Sequence, residues 1–398
     1  MRSQTVFLAL LSSACLLPFT PVCATEWVVN SDGSAQFTDI QPAVDTAQDG
    51  DLIRIMPGSY GKVNIQQKLV SLLGAGSTTT SVGTLRIIGA PAGFVSISAL
   101  SITQNTACTS DQATIVLRDC VGQDLHLSGC HSVFVENWHG RRGTSDTVDA
   151  LWLTSSEFVG TNGKDAVWSG TAGSWSQLPT PGMAGFGARH SVLYVDLGSF
   201  TGGAGGKGSC VQAQGYLDGA PGGSGLEDET GDCAFWIAKS TFHPGAGGKG
   251  GATCSRTSSV PDVKTQPGTV LKWDQQGAEL FPLSILAPSI IGSHTTIQIW
   301  GHPGDGVMLM IATNPASVLD SSAAGFPLGV DLSLGVVNLW PLTRTIGPNG
   351  YLLWEHKIPN EPLLVGTATF VQALLAAPAA GPYHPPMNTG VSASIICE

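Results

Sequence analysis

Between Phe37 and Tyr60 the chain commits itself to a kind of architecture. Ile40, Val44 and Ala47 fall on one helical stripe. Asp49-Gly50-Asp51 then breaks the helix, Leu52, Ile53 and Ile55 begin an apolar strand, and Pro57-Gly58 ends it. A short amphipathic helix leading straight into a buried strand is the way a stacked fold protects its first turn. Uncovered, that turn would offer unpaired backbone N–H and C=O groups to any passing strand. The stretch therefore predicts a capping helix followed by the first turn of a right-handed parallel β-helix.

Downstream, short apolar strands recur at Leu85-Arg86-Ile87-Ile88, Val95-Ser96-Ile97, residues 113–117, Val133-Phe134-Val135, residues 150–153, 192–195 and 234–237. None can bury its inner face alone, so a core forms only if successive turns stack. A sharper repeat is laid over them. Glu157-Phe158-Val159-Gly160, Ser199-Phe200-Thr201-Gly202 and Thr241-Phe242-His243-Pro244 each lead into a glycine-rich run, with Phe158, Phe200 and Phe242 spaced 42 residues apart, and Asn137-Trp138-His139-Gly140 reads as a degenerate earlier copy. The run after each Phe is polar and holds no convincing extra strand, which predicts one turn with a long excursion per repeat. The three Phe rings should stack in register, and glycines such as Gly205 should supply positive φ where the chain reverses.

After a polar, proline-containing stretch at 255–269 the glycine runs cease, and alternating strands follow at 296–300, 307–311, 335–339, 370–374 and 391–396. Such spacing predicts a small antiparallel β-sandwich, with a continued solenoid as the alternative. The expected organisation is a leader over 1–24, a parallel β-helix over 25–265 and the sandwich over 270–398. Fifty-one Gly and 24 Pro against five Tyr and six Met suit a turn-rich, all-β chain.

Arg2, the apolar run from Val6 to Leu17 and Val22-Cys23-Ala24 read as a signal peptide, so the protein is expected to be secreted or held at the cell surface. No later run is long and apolar enough for a membrane-spanning helix. A net charge of −11 argues against nucleic acid and anionic membranes as partners. Cations or neutral glycans suit it better. Cys108, Cys120, Cys130, Cys210, Cys233, Cys254 and Cys397 remain once the leader is removed. In an exported chain without Cys-x-x-Cys spacing they favour disulfides over metal. The 23- and 21-residue spacings of Cys210, Cys233 and Cys254 would let those three lie near one another.

Over about Val28 to Gly76, including Lys68-Leu69-Val70-Ser71-Leu72-Leu73-Gly74-Ala75-Gly76 as a second turn, the sequence resembles the start of pectin-lyase-like β-helix proteins. That family holds secreted polysaccharide lyases and pectin methylesterases, and the resemblance implies the fold. It does not carry an enzyme across. In the esterases the Gly-x-Tyr element is followed by Glu, whereas Gly58-Ser59-Tyr60 is followed here by Gly61-Lys62. The Asn-Thr-Asp, paired Asp and Gly-His-Gly of galacturonan hydrolases are missing as well.

Three sets of side chains are candidates for chemistry. Arg141, Asp146 and Asp149 could form the base and acid-holding group of a uronate lyase, or simply populate outward positions of the turns. Glu227, Asp228, Glu229 and Asp232 form the densest acidic cluster and could hold Ca²⁺, or be a solvated face. Trp138, Trp152 and Trp236 could stack on sugar rings, or pack in the core. The glycine runs ending at Lys207 and Lys249 are no phosphate loop, because Thr201 and His243 stand where its first Gly belongs and Gly follows each Lys. The sequence thus reads as a secreted, non-enzymatic binding or cell-surface structural protein that needs no cofactor, Ca²⁺ being the one metal considered. A polysaccharide or cell-envelope glycan is the expected partner, and a polysaccharide lyase acting on acidic polysaccharide is the alternative.

Overall fold

The computed structural model describes residues 25–168, 175–211, 216–257, 260–273, 283–285, 289–312, 315–320, 328–330, 336–360, 368–376, 387–388 and 392–397; the predicted leader lies outside them. The described residues are all-β apart from the helix Ile40–Thr46. Up to Trp273 it alternates between two long parallel sheets, contributing to one and then the other on each circuit.

The first sheet has ten strands. It begins at Glu26–Val29, one strand before the stretch that the sequence suggests as its start, and ends at Val270–Trp273. Its middle strands pair in register, so the period-two alternation of a strand sorts whole columns of side chains. Val95, Ile115, Val133, Leu151, Leu193 and Phe235 align in one inward column, and Ile97, Leu117, Val135, Leu153, Val195 and Ile237 in the next. All are buried in the principal core. Between them, Val116, Phe134, Trp152, Tyr194 and Trp236 form an outward column.

Each circuit turns sharply at a residue held in the left-handed region. Ala99, Asp119, Asn137, Ser155, Leu197 and Lys239 occupy that place on successive circuits, with φ between 40° and 57°. The first five donate their N–H groups across to the next circuit, as from Asn137 to Thr154 O at 3.0 Å. The ladder bonds along the stack offset the strain of these corners.

The helix closes the start of the stack as the sequence suggests. Ile40, Ala43 and Val44 are buried, and Asp39 caps the first turn. Gln41 then imitates a neighbouring strand: its amide accepts from Asn64 N at 2.7 Å and donates to Asn64 O at 3.1 Å, satisfying the edge strand Val63–Gln66. Lys68 Nζ donates to the carbonyls of Val44, Asp45 and Ala47 at the other end of the helix.

The 42-residue repeat is one circuit plus one excursion. Glu157–Val159, Ser199–Thr201 and Thr241–His243 are neighbours in the second sheet. The rings of Phe158 and Phe200 stack at 5.6 Å, and those of Phe200 and Phe242 at 5.1 Å. The supposed earlier copy is out of phase by two residues, because Gly140 and not Trp138 pairs with Phe158. Trp138 instead lays its ring against Gly122 and Gly140, where an added Cβ would lie 2.3 Å and 2.4 Å from the indole.

The excursions form a structure of their own. Consecutive N–H groups on 202–208 turn to three neighbours in rotation. Gly202, Gly205 and Gly208 donate to the carbonyls of His243, Ala246 and Lys249; Gly203 and Gly206 donate to Met183 and Thr180; Ala204 and Lys207 donate to the side chains of Asn162 and Asp165. A period of three in a segment without internal hydrogen bonds is the signature of a polyproline-II-type helix. Its neighbours repeat the pattern: Gly160, Gly163 and Ala166 donate to residues 201, 204 and 207, while Gly245, Gly248 and Gly251 donate to 223, 220 and 217. Outgoing and returning segments thus make a bundle of threefold extended helices. Gly205 is needed for close approach and not for a left-handed turn, which corrects the sequence expectation: its φ is not positive, and a Cβ there would lie 2.0 Å from Ala220 O.

Beyond Trp273 lie antiparallel sheets. One holds Leu283–Ile285, His294–Trp300 and Tyr351–Lys357; the larger includes Gly306–Ala312, Val336–Thr345, Ala368–Ala376 and Ser392–Cys397. Leu283, Ile297, Ile299, Leu309, Trp354 and Val371 share a core between the two. Met310 and Phe370 face the other way and pack on the outward column of the first sheet, with Phe370 5.1 Å from Phe134.

Candidate functional site

A groove of about 490 Å³ opens on the outer side of the second sheet, where the long strands Ser101–Thr109 and Val121–Ser128 bend. Their register slips between Gly122 and Asp124, a bulge that turns polar side chains outward. Thr84, Arg86, Thr103, Gln104, Asn105, Gln123, Asp124 and Arg141 line the groove. Thr84 Oγ1 donates to Gln104 Oε1 at 2.8 Å, and Arg141 Nη1 donates to Gln123 Oε1 at 3.3 Å. One carboxylate oxygen of Asp124 is buried with no hydrogen-bond partner among the described residues. Two guanidinium groups, three amides and two hydroxyls around one carboxylate suit a ligand rich in hydroxyl or carboxylate groups.

Of the catalytic candidates, only Arg141 lines this groove. Asp146, at the end of Gly143–Asp146, accepts from Thr147 Oγ1, and Asp149 pairs with His131 at 2.9 Å. Each of the three therefore engages a different neighbour, and no ion pair joins them among the described residues.

The acidic cluster divides in the same way. Strand Leu226–Asp228 sends Asp228 inward and Glu227 outward to Lys264 at 2.5 Å, while Glu229 is held by Arg142 and Arg189. Asp228 is buried and accepts from the N–H groups of Thr230, Gly231 and Cys233 and from Thr269 Oγ1. Burial works against its ionisation, but these donors outweigh it and hold its pKa below the usual carboxylate range. Asp232 pairs with Thr230 and His190, which lower its pKa in that order. Asp228, Asp232 and Cys233 are close enough to share an ion. However, burial pushes the Cys233 thiol up to about 12, and the oxygens of Asp228 are already occupied by donors. The four-acid Ca²⁺ set is not gathered around a point.

The tryptophans lie beneath other parts of the fold. Trp138 is fully buried, and Trp152 is 3% exposed between Phe134 at 6.0 Å and Tyr194 at 4.1 Å. Trp236 continues that stack, 6.2 Å from Tyr194 and partly buried. Trp138 and Trp152 thus present no free ring face to a sugar, which corrects their assignment as ligand contacts. The physical reason is that an outward column of large aromatics costs too much in water and is covered. Among the cysteines, Cys210 is bonded to Cys254, whereas Cys233 lies apart in the principal core. Cys120 and Cys130 are buried with thiols pushed up by burial to about 12, far from the reactive range.

Sequence reasoning passed over Arg86, Gln104, Asn105, Gln123 and Asp124. A partial signal was there: Asn105 and Asp124 pair across neighbouring strands, whereas Arg86 stands opposite Ala107, so no single interval marks the groove. Compared with known proteins, the sequence matches no family model and is similar to no curated protein.

Proposed function

We propose that the chain is an exported, non-enzymatic glycan-binding protein, a right-handed parallel β-helix with a small C-terminal β-sandwich, and that the groove around Arg86, Asp124 and Arg141 contacts the saccharide. The groove's all-polar lining carries this reading: amides, hydroxyls and guanidinium groups stand in a row along the stack, as an extended chain of hydroxyl-bearing units would require. The scattered partners of Arg141, Asp146 and Asp149 support binding over turnover. The reading calls for no cofactor. Purified protein lacking residues 1–24 should bind a subset of an immobilised glycan panel, and Arg86→Gln with Arg141→Gln should weaken that binding about tenfold. Equal binding by the double variant would reject the groove, and no binding to any glycan would reject the function.

A second reading, lyase action on an acidic polysaccharide, draws on the unpartnered oxygen of Asp124 near Arg141. It requires formation of an unsaturated uronate product. Asp124→Asn would abolish that product while leaving binding intact.

A further inference from the structure

The threefold bundle contains its own picture of what it binds. On its outer face, Ala204 N–H donates to Asn162 Oδ1 at 2.8 Å and Lys207 N–H donates to the Asp165 carboxylate at 2.7 Å. One repeat further on, the corresponding residues are Ala246 and Lys249, each 42 positions later, on the neighbouring segment that accepts from 202, 205 and 208. The places held by Asn162 and Asp165 are now held by Ala204 and Lys207, neither of which has an acceptor side chain. No described residue accepts from the Ala246 N–H. Ala204, Lys207, Ala246 and Lys249 line a groove of about 570 Å³, closed at one end by the Cys210–Cys254 disulfide and bordered by Arg256. Lys249 and Arg256 are opposite each other in a two-stranded hairpin.

The groove holds three exposed cations and no carboxylate in its lining, on a chain whose net charge is −11. None of the three is ion-paired among the described residues. We infer that this groove binds the carboxylate of an acidic saccharide, which takes the place that the Asn162 side-chain oxygen fills one repeat earlier. The backbone N–H of Ala246 fixes the oxyanion, and Lys207, Lys249 and Arg256 supply charge. The inference rests on the glycan-binding reading but uses a different surface, so the two can fail separately.

The test measures retention of the purified protein on immobilised polyglucuronate, dextran sulfate and neutral dextran. Polyglucuronate should retain the protein in a salt-sensitive manner and neutral dextran should not. Stronger retention on dextran sulfate than on polyglucuronate would overturn the preference for carboxylate. Lys207→Gln, Lys249→Gln and Arg256→Gln together should weaken retention on polyglucuronate at least about tenfold, and by more than Arg86→Gln with Arg141→Gln does. Ala204→Asn with Lys207→Asp rebuilds the internal acceptors of the preceding repeat. It should keep the wild-type melting temperature or raise it while abolishing retention. Undiminished retention by either the triple variant or this double variant overturns the inference, as does loss confined to the Arg86 and Arg141 variant.

Discussion

Replacing Gly206 by Ala tests whether the excursions are a close-packed bundle or merely loose loops. Built on the present backbone, the new Cβ would lie 1.8 Å from Lys164 O and 2.5 Å from its carbonyl carbon. An ordinary carbon–oxygen contact is about 3.3 Å or more, so the two segments must part by roughly 1.5 Å. Gly206 N–H to Thr180 O at 3.0 Å and Ala220 N–H to Gly206 O at 2.9 Å anchor the same residue, and Gly163 N–H to Ala204 O at 2.7 Å ties the parting segments together. Hydrogen bonds of that length do not survive such a shift. Three lost at about 1 kcal/mol each put the cost near 3 kcal/mol. Gly33, exposed and with nothing within 4 Å of its Cβ, is the contrasting site, although its φ of +83° adds a small strain of its own. Hydrogen exchange is the suitable assay, because it reads the bundle apart from the sheets. Gly206→Ala should lose protection across 160–166, 202–208 and 245–251 while the strands Val133–Val135 and Leu151–Leu153 keep theirs. Wild-type protection in those three segments would refute the threefold packing.

Three further outcomes follow from the core and its buried charges. Phe200→Ala, which removes the ring between Phe158 and Phe242, should cost about 3–5 kcal/mol by chemical denaturation. Asp196 is buried with neither carboxylate oxygen hydrogen-bonded among the described residues, and desolvation raises its pKa to about 8 despite Lys239. Since the folded value exceeds the unfolded one of about 3.9, stability is full below about pH 4 and is lost as pH rises towards 8. Asp196→Asn should remove that decline, so the gap in melting temperature between variant and wild type should widen from acid to pH 8 and then level off. Asp228→Ala strands four donors around a buried site and should destabilise by a few kcal/mol, whereas Asp228→Asn, which keeps one acceptor oxygen, should cost less. A melting temperature that rises markedly with added Ca²⁺ would show instead that Asp228 is a metal ligand.

What could be read from the sequence was whatever repeats at the period of a circuit. The helix at Ile40, the apolar columns and the rings of Phe158, Phe200 and Phe242 all declare themselves this way, because a stacked turn returns each side chain to the same place. Partners far apart in the chain do not. Glu229 is held by Arg142, 87 residues away, and nothing in the run Glu227-Asp228-Glu229 reveals that the two glutamates go to separate cations while Asp228 turns inward to hydrogen-bond donors. Trp152 misled for a related reason: an aromatic column on an outer face looks exposed until Phe370, from the last sheet, is seen to lie on its neighbour Phe134. The polar groove from Arg86 to Arg141 keeps no single spacing, because a bulge shifts the register after Gly122, and exposed polar residues are too common to declare a site by themselves. The three-residue rhythm of the glycine runs was visible as composition, yet its meaning lies in which carbonyl each N–H meets.

The covering of Phe134, Trp152 and Tyr194 by Met310 and Phe370 sets an order on how the protein is made. A chain emerging from the ribosome completes its stacked turns before the residues that shield them exist, so for a time the young coil carries an oily stripe along one side. Export in an unfolded state would postpone that hazard until the whole chain has crossed. A version cut after Trp273 should stack its turns and then clump through the bare stripe, its insolubility owed to a missing lid and not to a failed core.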